Sequence, residues 1–225
     1  MIPIASSEKI KKFPYVNILL ILVNLGIFIY VYFYSPNPVK LITGYGFVPV
    51  KFSGASWNPL IDGHKYLSLL TANFLHADFF HITGNLLFLF VFGNNVNEKL
   101  GNGRYLVFFV VTGIISLLTQ GYSMRDSANV VIGASGAIAG VMGGFYILYP
   151  RARVKTFLLV SIKEISALFY LFFWFIFNLL RGIMHFEGIA IESVAWWAHI
   201  GGFVAGAILV NLFIPHNFPV KSKKG

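Results

Sequence analysis

The chain alternates between long apolar stretches and shorter polar connections. Six apolar stretches stand out, at residues 15–34, 82–97, 104–120, 134–149, 165–180 and 194–214. An α-helix rises ~1.5 Å per residue, so about 20 apolar residues cross the ~30 Å hydrocarbon core of a bilayer. The longest stretches meet that length and the others approach it. The pattern predicts six transmembrane helices, which put both chain ends on one side of the membrane.

Composition places the chain in lipid rather than in water. Of its 225 residues, 57% are hydrophobic and only 11% are charged, and the mean hydropathy is +0.74. Soluble domains carry about 25% charged residues, because their surface must be solvated. The chain contains no cysteine, which excludes disulfides and thiolate metal sites. The expected fold class is therefore an all-α integral membrane protein.

The positions of the basic residues orient this bundle. With six spans, twelve of the 17 Lys and Arg residues fall on the side shared by the termini, and five fall on the other side. Basic residues accumulate on the cytoplasmic side of membrane proteins, so both termini are expected to be cytoplasmic. The net charge of +9 is scattered between apolar stretches rather than gathered into one patch, which argues against a nucleic-acid partner.

A single six-helix domain is expected over residues 15–214. A short cytoplasmic tail, 1–14, precedes it, and a basic cytoplasmic tail, 215–225, follows it. The long first loop, 35–80, is too polar to span the membrane and too rich in aromatic residues for an unstructured linker. We expect this loop to be associated with the membrane surface and partly ordered.

Small residues recur every four positions along the fourth span, which indicates a flat helix face. Ser135 begins one such stripe, and Gly136 and Gly140 belong to the adjacent one. Small faces let membrane helices pack with close backbones. Two interpretations of Ser135 are therefore open: a small packing residue, or a nucleophile near the outer end of its helix.

The sixth span carries a histidine beside a second small face. Gly202 and Gly206 belong to that face, and His199 lies on it or next to it. A histidine within a span is costly and marks a candidate functional site, although it can also serve as an interhelical hydrogen bond. If the two small faces pack together, His199 meets Ser135 below the outer surface.

A third polar group lies near the outer end of the second span. His81 and Asn85 are four residues apart, hence on one helix face, and both can donate hydrogen bonds. They are polar packing residues or, beside Ser135 and His199, donors to an oxyanion. No Asp or Glu lies inside a predicted span, so the sequence favours a Ser–His dyad over a triad.

These residue types suit peptide cleavage. A serine hydroxyl becomes a nucleophile when a base removes its proton, and a neutral imidazole is such a base near pH 7. The attack places negative charge on the former carbonyl oxygen, and donors aimed at that oxygen in a site of low dielectric are each worth ~10²–10³ in rate. The backbone N–H of Ser135, at the positive end of a helix dipole, is one such donor.

Five motifs, in this order, resemble those of the rhomboid intramembrane serine proteases of the prokaryotic six-helix type. They are Thr71-Ala-Asn-Phe-Leu-His76, His81-xxx-Asn85, Glu98-xx-Gly101, Gly133-Ala-Ser135-Gly136 and Ala198-His199-xx-Gly202-xxx-Gly206. The resemblance covers nearly the whole chain. It implies a six-transmembrane-helix rhomboid bundle that cleaves transmembrane segments of membrane proteins without a cofactor or a metal.

The resemblance implies a role for each matching residue. Ser135 is the nucleophile and His199 the general base, while Asn85, His81 and the Ser135 backbone N–H form the oxyanion hole. Gly133 keeps the approach to the serine open. His76 either supports the oxyanion region or orders the first loop.

The resemblance also implies the setting of the reaction. The substrates are single-span transmembrane proteins in the lipid bilayer, usually cut after a small residue. The active site opens as a water-filled cavity toward the outer side of the cytoplasmic membrane. The fifth helix, including Trp174, either admits the substrate or simply faces lipid.

Two departures from the family and several rival functions bear on this interpretation. Many members carry an aromatic residue four positions after the nucleophile, where this chain has Ala139, so the residue that holds the His199 ring is left open. A Trp-Arg pair that some members carry in the first loop is absent. No His-Glu-xx-His motif for a metalloprotease and no pair of intramembrane aspartates for an aspartyl protease occurs in the sequence. A transporter, or a catalytically inactive rhomboid-like binding protein, is the remaining alternative.

Overall fold

The computed structural model describes residues 1–52, 63–158, 160–187 and 194–215. Residues 53–62 of the expected first loop and residues 216–225 of the expected basic tail lie outside this part of the chain. The helices are α1 (Tyr15–Ile29), α2 (Pro38–Tyr45), α3 (Gly63–Thr71), α4 (Phe79–Phe88), α5 (Asn94–Leu100), α6 (Asn102–Ser123), α7 (Ser135–Leu148), α8 (Ala167–Phe186) and α9 (Trp196–Leu209). Single π turns, Tyr30–Tyr34 and Leu89–Gly93, continue α1 and α4, and 3₁₀ turns occupy Pro49–Phe52, Ala72–Phe74 and Val210–Phe213.

Five helical segments of the described chain are long and apolar enough to cross a membrane. They are Tyr15–Tyr34, Phe79–Leu100, Asn102–Ser123, Ala167–His185 and Trp196–Phe213. This confirms a multi-pass bundle of the all-α membrane class. The second span begins three residues before the expected 82, because the Asp78 carboxylate accepts the backbone N–H of His81 at 2.9 Å and caps the helix. Hydropathy alone does not register such a cap.

The remaining expected span, 134–149, corresponds to the shorter apolar helix α7. Its 14 residues cover roughly 21 Å, less than the ~30 Å hydrocarbon core, so at least one of its ends lies below the membrane surface. Ten of the 14 residues are buried, chiefly against α9 and α6. The helix that begins with Ser135 is therefore enclosed by protein rather than by lipid.

The backbones of α7 and α9 touch along a seam of four glycines. A Cβ atom added to Gly202 would overlap the carbonyl oxygen of Gly136, and one added to Gly206 would overlap that of Gly140. At Gly202 and Gly206 glycine removes the side chains that would hold α9 away from α7, as in other close-packed membrane helices. Cβ atoms at Gly136 and Gly140 would instead overlap side chains of α6. We call Gly136, Gly140, Gly202 and Gly206 the glycine seam; it fixes how α9 lies on α7.

A buried amide ties α1 to the irregular part of the second span. Asn17 Nδ2 donates to the carbonyl oxygen of Leu89, the first residue of the π turn, at 3.0 Å and to Asn94 Oδ1 at 2.8 Å. The Tyr105 hydroxyl donates to Asn17 Oδ1 at 2.6 Å. Because every polar atom of the fully buried Asn17 side chain is paired, the network ties α1 to the π turn, to α5 and to α6 without an unsatisfied group in that side chain.

A three-stranded antiparallel sheet pairs the N-terminal segment with the connection between α7 and α8. Its strands β1 (Ile2–Ser6), β2 (Arg153–Leu158) and β3 (Ser161–Ser166) stand in the order β1-β2-β3. Val154 and Thr156 are buried, whereas Arg153, which precedes them, and Lys155, which lies between them, are exposed. This is the period of two that a half-buried strand requires. β1 lies in the segment expected to be a short cytoplasmic tail. β3 reaches into the expected fifth span, so that α8 begins at Ala167 rather than at residue 165.

Candidate active site

Ser135 and His199 meet between the beginnings of α7 and α9. His199 Nε2 lies 2.8 Å from Ser135 Oγ, although 64 residues separate them in the chain. Ser135 is the first residue of α7, and His199 is in the first turn of α9. Since the glycine seam presses the two helices together with both starts at one end, the hydroxyl and the imidazole share one depth.

Helix α6 sets the position of the start of α9. The side-chain oxygen of the buried Gln120 accepts the backbone N–H of Ala198, the residue before His199, at 3.1 Å. The same N–H also lies 3.0 Å from the carbonyl oxygen of Ala195, so Gln120 gives the first turn of α9 a second acceptor, supplied by a neighbouring helix. This bond holds His199 at a fixed height along α9.

The second ring nitrogen of His199, Nδ1, contacts a residue that the motifs did not indicate. Asn178, on α8, places Oδ1 2.7 Å from His199 Nδ1 and is only 3% exposed. The rings of Trp174 and Trp196 have their centroids 5.8 and 6.0 Å from that of His199. With Ala139 in place of an aromatic residue on α7, the ring is thus surrounded from α8 and α9. The one sequence signal for Asn178 was a single amide within a Phe-rich span.

Gly133, two residues before Ser135, has a backbone conformation that other residues rarely adopt. Its φ is +124°, and its N–H donates to the carbonyl oxygen of Ala72 at 2.8 Å. A Cβ atom at Gly133 would lie 2.6 Å from His81 Nε2 and 3.7 Å from Asn85 Nδ2. Glycine is needed here for both reasons, and the two side-chain nitrogens converge on the space in front of it.

Both of these nitrogens have a hydrogen available for an acceptor. His81 Nδ1 accepts the backbone N–H of Ala77 at 3.4 Å, so in a neutral ring the hydrogen is on Nε2, the atom that faces Gly133. Asn85 is 8% exposed, and its Nδ2 is buried with no hydrogen-bond partner among the described residues. A buried donor without a partner is destabilising, so it suits a site that a ligand oxygen completes.

His76 packs behind His81 rather than reaching the dyad. Their ring centroids are 5.1 Å apart, and His76 is 2% exposed. Burial, and secondarily the neighbouring His81, lowers the pKa of His76 to about 3, so the ring is neutral at physiological pH. Its carbonyl oxygen accepts the Tyr32 hydroxyl at 3.1 Å. His76 therefore contacts both the oxyanion region and the end of α1.

The Glu98 motif lies away from this site. Glu98 Oε1 accepts the backbone N–H groups of Lys11 and Lys12, at 2.7 and 3.0 Å, where the chain enters α1. Gly101, with φ +80°, ends α5 and permits the tight passage into α6. These two residues organise the helix ends opposite the Ser135 end of α7. No group of three or more His, Asp or Glu suited to a metal ion occurs within the described ranges.

Comparison with known proteins identifies relatives of this chain. The family model for the Rhomboid domain matches residues 63–216, which include every candidate site residue. RHOMBOID-like protein 1 of Arabidopsis thaliana is 28% identical over 155 residues, covering 69% of this chain and 36% of that protein. Rhomboid-like protease 3 of Toxoplasma gondii is 23% identical over 204 residues, covering 89% and 68%.

A further relative has a different description. Inactive RHOMBOID-like protein 8 of Arabidopsis thaliana is 32% identical over 152 residues, covering 68% of this chain and 39% of that protein. The chain spans 36% to 68% of the length of these three relatives.

Proposed function

Because this chain belongs to the rhomboid family, we propose that it is an intramembrane serine endopeptidase that cleaves transmembrane segments of membrane proteins. The observation that carries the proposal is the 2.8 Å contact between His199 Nε2 and Ser135 Oγ inside a membrane bundle. A hydroxyl in hydrogen-bond reach of an imidazole base is the arrangement that nucleophilic catalysis requires.

The first half of the proposed reaction forms an acyl-enzyme. His199 Nε2 takes the proton of the Ser135 hydroxyl as Oγ attacks the carbonyl carbon of the scissile peptide bond. The tetrahedral oxyanion accepts hydrogen bonds from the Ser135 N–H, Asn85 Nδ2 and His81 Nε2. His199 then gives its proton to the leaving nitrogen, the C–N bond breaks, and the amine product departs.

The second half restores the enzyme. A water molecule attacks the ester carbonyl, and His199 accepts one of its protons as the same donors hold the second oxyanion. The bond to Ser135 Oγ breaks, and the proton on His199 returns to the serine. The carboxylic acid product leaves, so one water is consumed and no cofactor or metal enters the scheme.

The proposed substrates are single-span membrane proteins whose helix unwinds near the cleavage point. A peptide carbonyl inside an intact helix is hydrogen-bonded along the helix axis, which makes it a poor target for Ser135. α8, which carries Trp174 and Asn178, is one wall of the site, and its exposed aromatic side chains include Phe173 and Phe177. We propose that substrate approaches along this wall.

The proposed orientation follows from charge. The basic residues favour cytoplasmic termini, so the paired starts of α7 and α9 lie toward the outer side of the cytoplasmic membrane. Water reaching Ser135 then comes from the outer aqueous phase. The same orientation places the three-stranded sheet on the cytoplasmic side.

A catalytically inactive rhomboid-like protein is the second candidate, because one relative at 32% identity is named inactive. Such a protein would bind membrane helices without cutting them. The Ser135–His199 contact favours the protease, since binding alone does not require a base at the hydroxyl.

Covalent labelling separates these two functions. A fluorophosphonate probe reacts with a serine only when its hydroxyl is activated. We expect the detergent-solubilised wild type to be labelled and to cleave a single-span test substrate, and we expect Ser135→Ala and His199→Ala each to abolish both signals. Thermal unfolding of the variants controls for folding. Unlabelled but folded wild type would support the inactive alternative, and activity in either variant would exclude the dyad.

A further inference from the structure

The geometry points to Asn178 as a positioning residue for His199: its side-chain oxygen fixes the imidazole in the tautomer that can act as a base toward Ser135. This inference rests on the proposed function and adds a third member to the dyad that the sequence favoured. It follows from three successive hydrogen bonds, which connect Trp174 to Asn178, Asn178 to His199 and His199 to Ser135.

The amide of Asn178 is locked in one orientation. Its Nδ2 donates to the backbone carbonyl oxygen of Trp174, one turn earlier on α8, at 2.7 Å. Turning the amide over would place Oδ1 against that carbonyl oxygen, with two acceptors facing each other. The atom that faces His199 is therefore Oδ1, an acceptor without a hydrogen.

An acceptor at this point determines the hydrogen on the imidazole. Oδ1 lies 2.7 Å from His199 Nδ1, so Nδ1 carries the hydrogen and donates it. A neutral imidazole has one hydrogen, which leaves Nε2 with a free lone pair. Nε2 is the atom 2.8 Å from Ser135 Oγ, so the lone pair points at the proton it must remove.

The surroundings keep this arrangement rigid. Asn178 is 3% exposed, and the Trp174 and Trp196 rings flank the imidazole. In many serine hydrolases a carboxylate holds the tautomer, and an asparagine does so in Cys-His-Asn proteases. An amide suits a membrane span, because an ionised carboxylate there is far more costly to bury.

Two variants and one matched control test the role. Asn178→Leu keeps the branched shape of the side chain but removes the acceptor, and Asn178→Asp restores an acceptor oxygen. Asn24→Leu is the control, because Asn24 on α1 is also buried and makes the same bond to the carbonyl four residues earlier, at 2.7 Å to Leu20. Each protein is assayed in full length, in detergent, for kcat and KM on a single-span substrate and for its unfolding midpoint.

We expect the effect to fall on kcat. Asn178→Leu should lower kcat on the order of 10²-fold with little change in KM, because the base loses its orientation. Asn178→Asp should recover kcat to within about tenfold of wild type. Asn24→Leu should leave kcat unchanged even if its unfolding midpoint falls, which separates a positioning role from a structural one.

Nitrogen NMR on histidine-labelled protein gives a readout that does not depend on activity. In wild type, His199 should show a protonated Nδ1 and an unprotonated Nε2, with the signal assigned by its loss in His199→Gln. In Asn178→Leu both tautomers should appear. A wild-type His199 with its hydrogen on Nε2 would overturn the inference even if every leucine variant misfolded.

The outcomes also separate this inference from the proposed function. Wild-type cleavage that requires Ser135, together with an undiminished kcat in Asn178→Leu, would overturn the role of Asn178 alone. A folded Asn178→Asp whose kcat does not exceed that of a folded Asn178→Leu would do the same. Wild type without any Ser135-dependent cleavage would overturn the proposed function itself.

Discussion

Single polar atoms determine what the candidate site can do. Asn85 Nδ2 is buried and has no hydrogen-bond partner among the described residues. Asn85 lies on the same helix as His81. Buried polar groups in folded proteins are nearly always hydrogen-bonded, so an unpaired buried donor calls for an explanation. The proposed use is to bind the oxyanion that forms when Ser135 attacks.

Replacement of Asn85 tests this use. Asn85→Ala should lower kcat by ~10²–10³ and leave KM nearly unchanged, because the lost hydrogen bond forms mainly in the transition state. Asn85→Asp should be slower still, since an acceptor oxygen would then face the developing negative charge. Steady-state cleavage of a single-span substrate measures both, and an unchanged kcat in Asn85→Ala would return Asn85 to a packing role.

Residue-level prediction from sequence depended on spacing within one helix. His81 and Asn85 could be paired because an interval of four places them on one face, and the structure brings their nitrogens together at Gly133. Asn178 could not be paired with His199 in this way, because the contact depends on how α8 lies against α9. A contact between single residues on two different helices produces no recognisable spacing in the sequence.

At the scale of elements, the glycine seam is what joins the two halves of the dyad. A methyl group at Gly206 would overlap the Gly140 carbonyl oxygen, which is backbone and cannot move aside alone. Small displacements of α9 would carry His199 away from Ser135. The seam therefore affects both stability and the proposed activity.

A pair of glycine substitutions measures this contribution. Gly206→Ala should destabilise the fold by ~1–3 kcal/mol, as overpacking does, and should lower cleavage by separating the helices. Gly26→Ala is the control, because a Cβ atom at Gly26 on α1 would meet nothing within 4 Å. Unfolding midpoints in detergent, compared between the two variants, check the prediction; equal midpoints would show that the seam tolerates a methyl group.

Helices and strands could be predicted from the sequence where apolar residues form a long continuous stretch. They could not be predicted where apolar and polar residues alternate over only a few positions. Five of the six expected spans correspond to helices long enough to cross the membrane, and the fourth, 134–149, corresponds to the shorter α7. The sheet was missed because β2 alternates over only six residues, and β1 pairs with it across about 150 residues of sequence. A pairing of that separation is decided by the bundle that brings the two segments together.

At the scale of the whole molecule, the buried neutral His76 links stability to pH. Its pKa is lowered to about 3 in the folded protein, mainly by burial, against 6.5 in an unfolded chain. Below pH 6.5 the unfolded chain binds a proton that the folded protein does not. The free energy of unfolding therefore falls as pH falls from 6.5 toward 3.

The size of this effect can be measured with one variant. Between pH 8 and pH 5, His76 should remove ~2 kcal/mol of stability, and His76→Gln should show an acid loss smaller by that amount. Detergent unfolding curves at the two pH values give the difference directly. An equal acid loss in wild type and His76→Gln would mean that the ring is solvated enough to be protonated in the folded state.

The glycine seam joins two helices that are synthesised at different times, so the candidate site cannot assemble until the second one is made. Ser135 leaves the ribosome 64 residues before His199, an interval of roughly 3–13 s at ~5–20 residues per second. During that interval α7 packs against α6, but the side of α7 that later meets α9 is uncovered and its serine lies beside no imidazole. On the proposed mechanism a nascent chain is therefore harmless to its neighbours at the site of insertion, and it becomes a protease only when its last described helix docks.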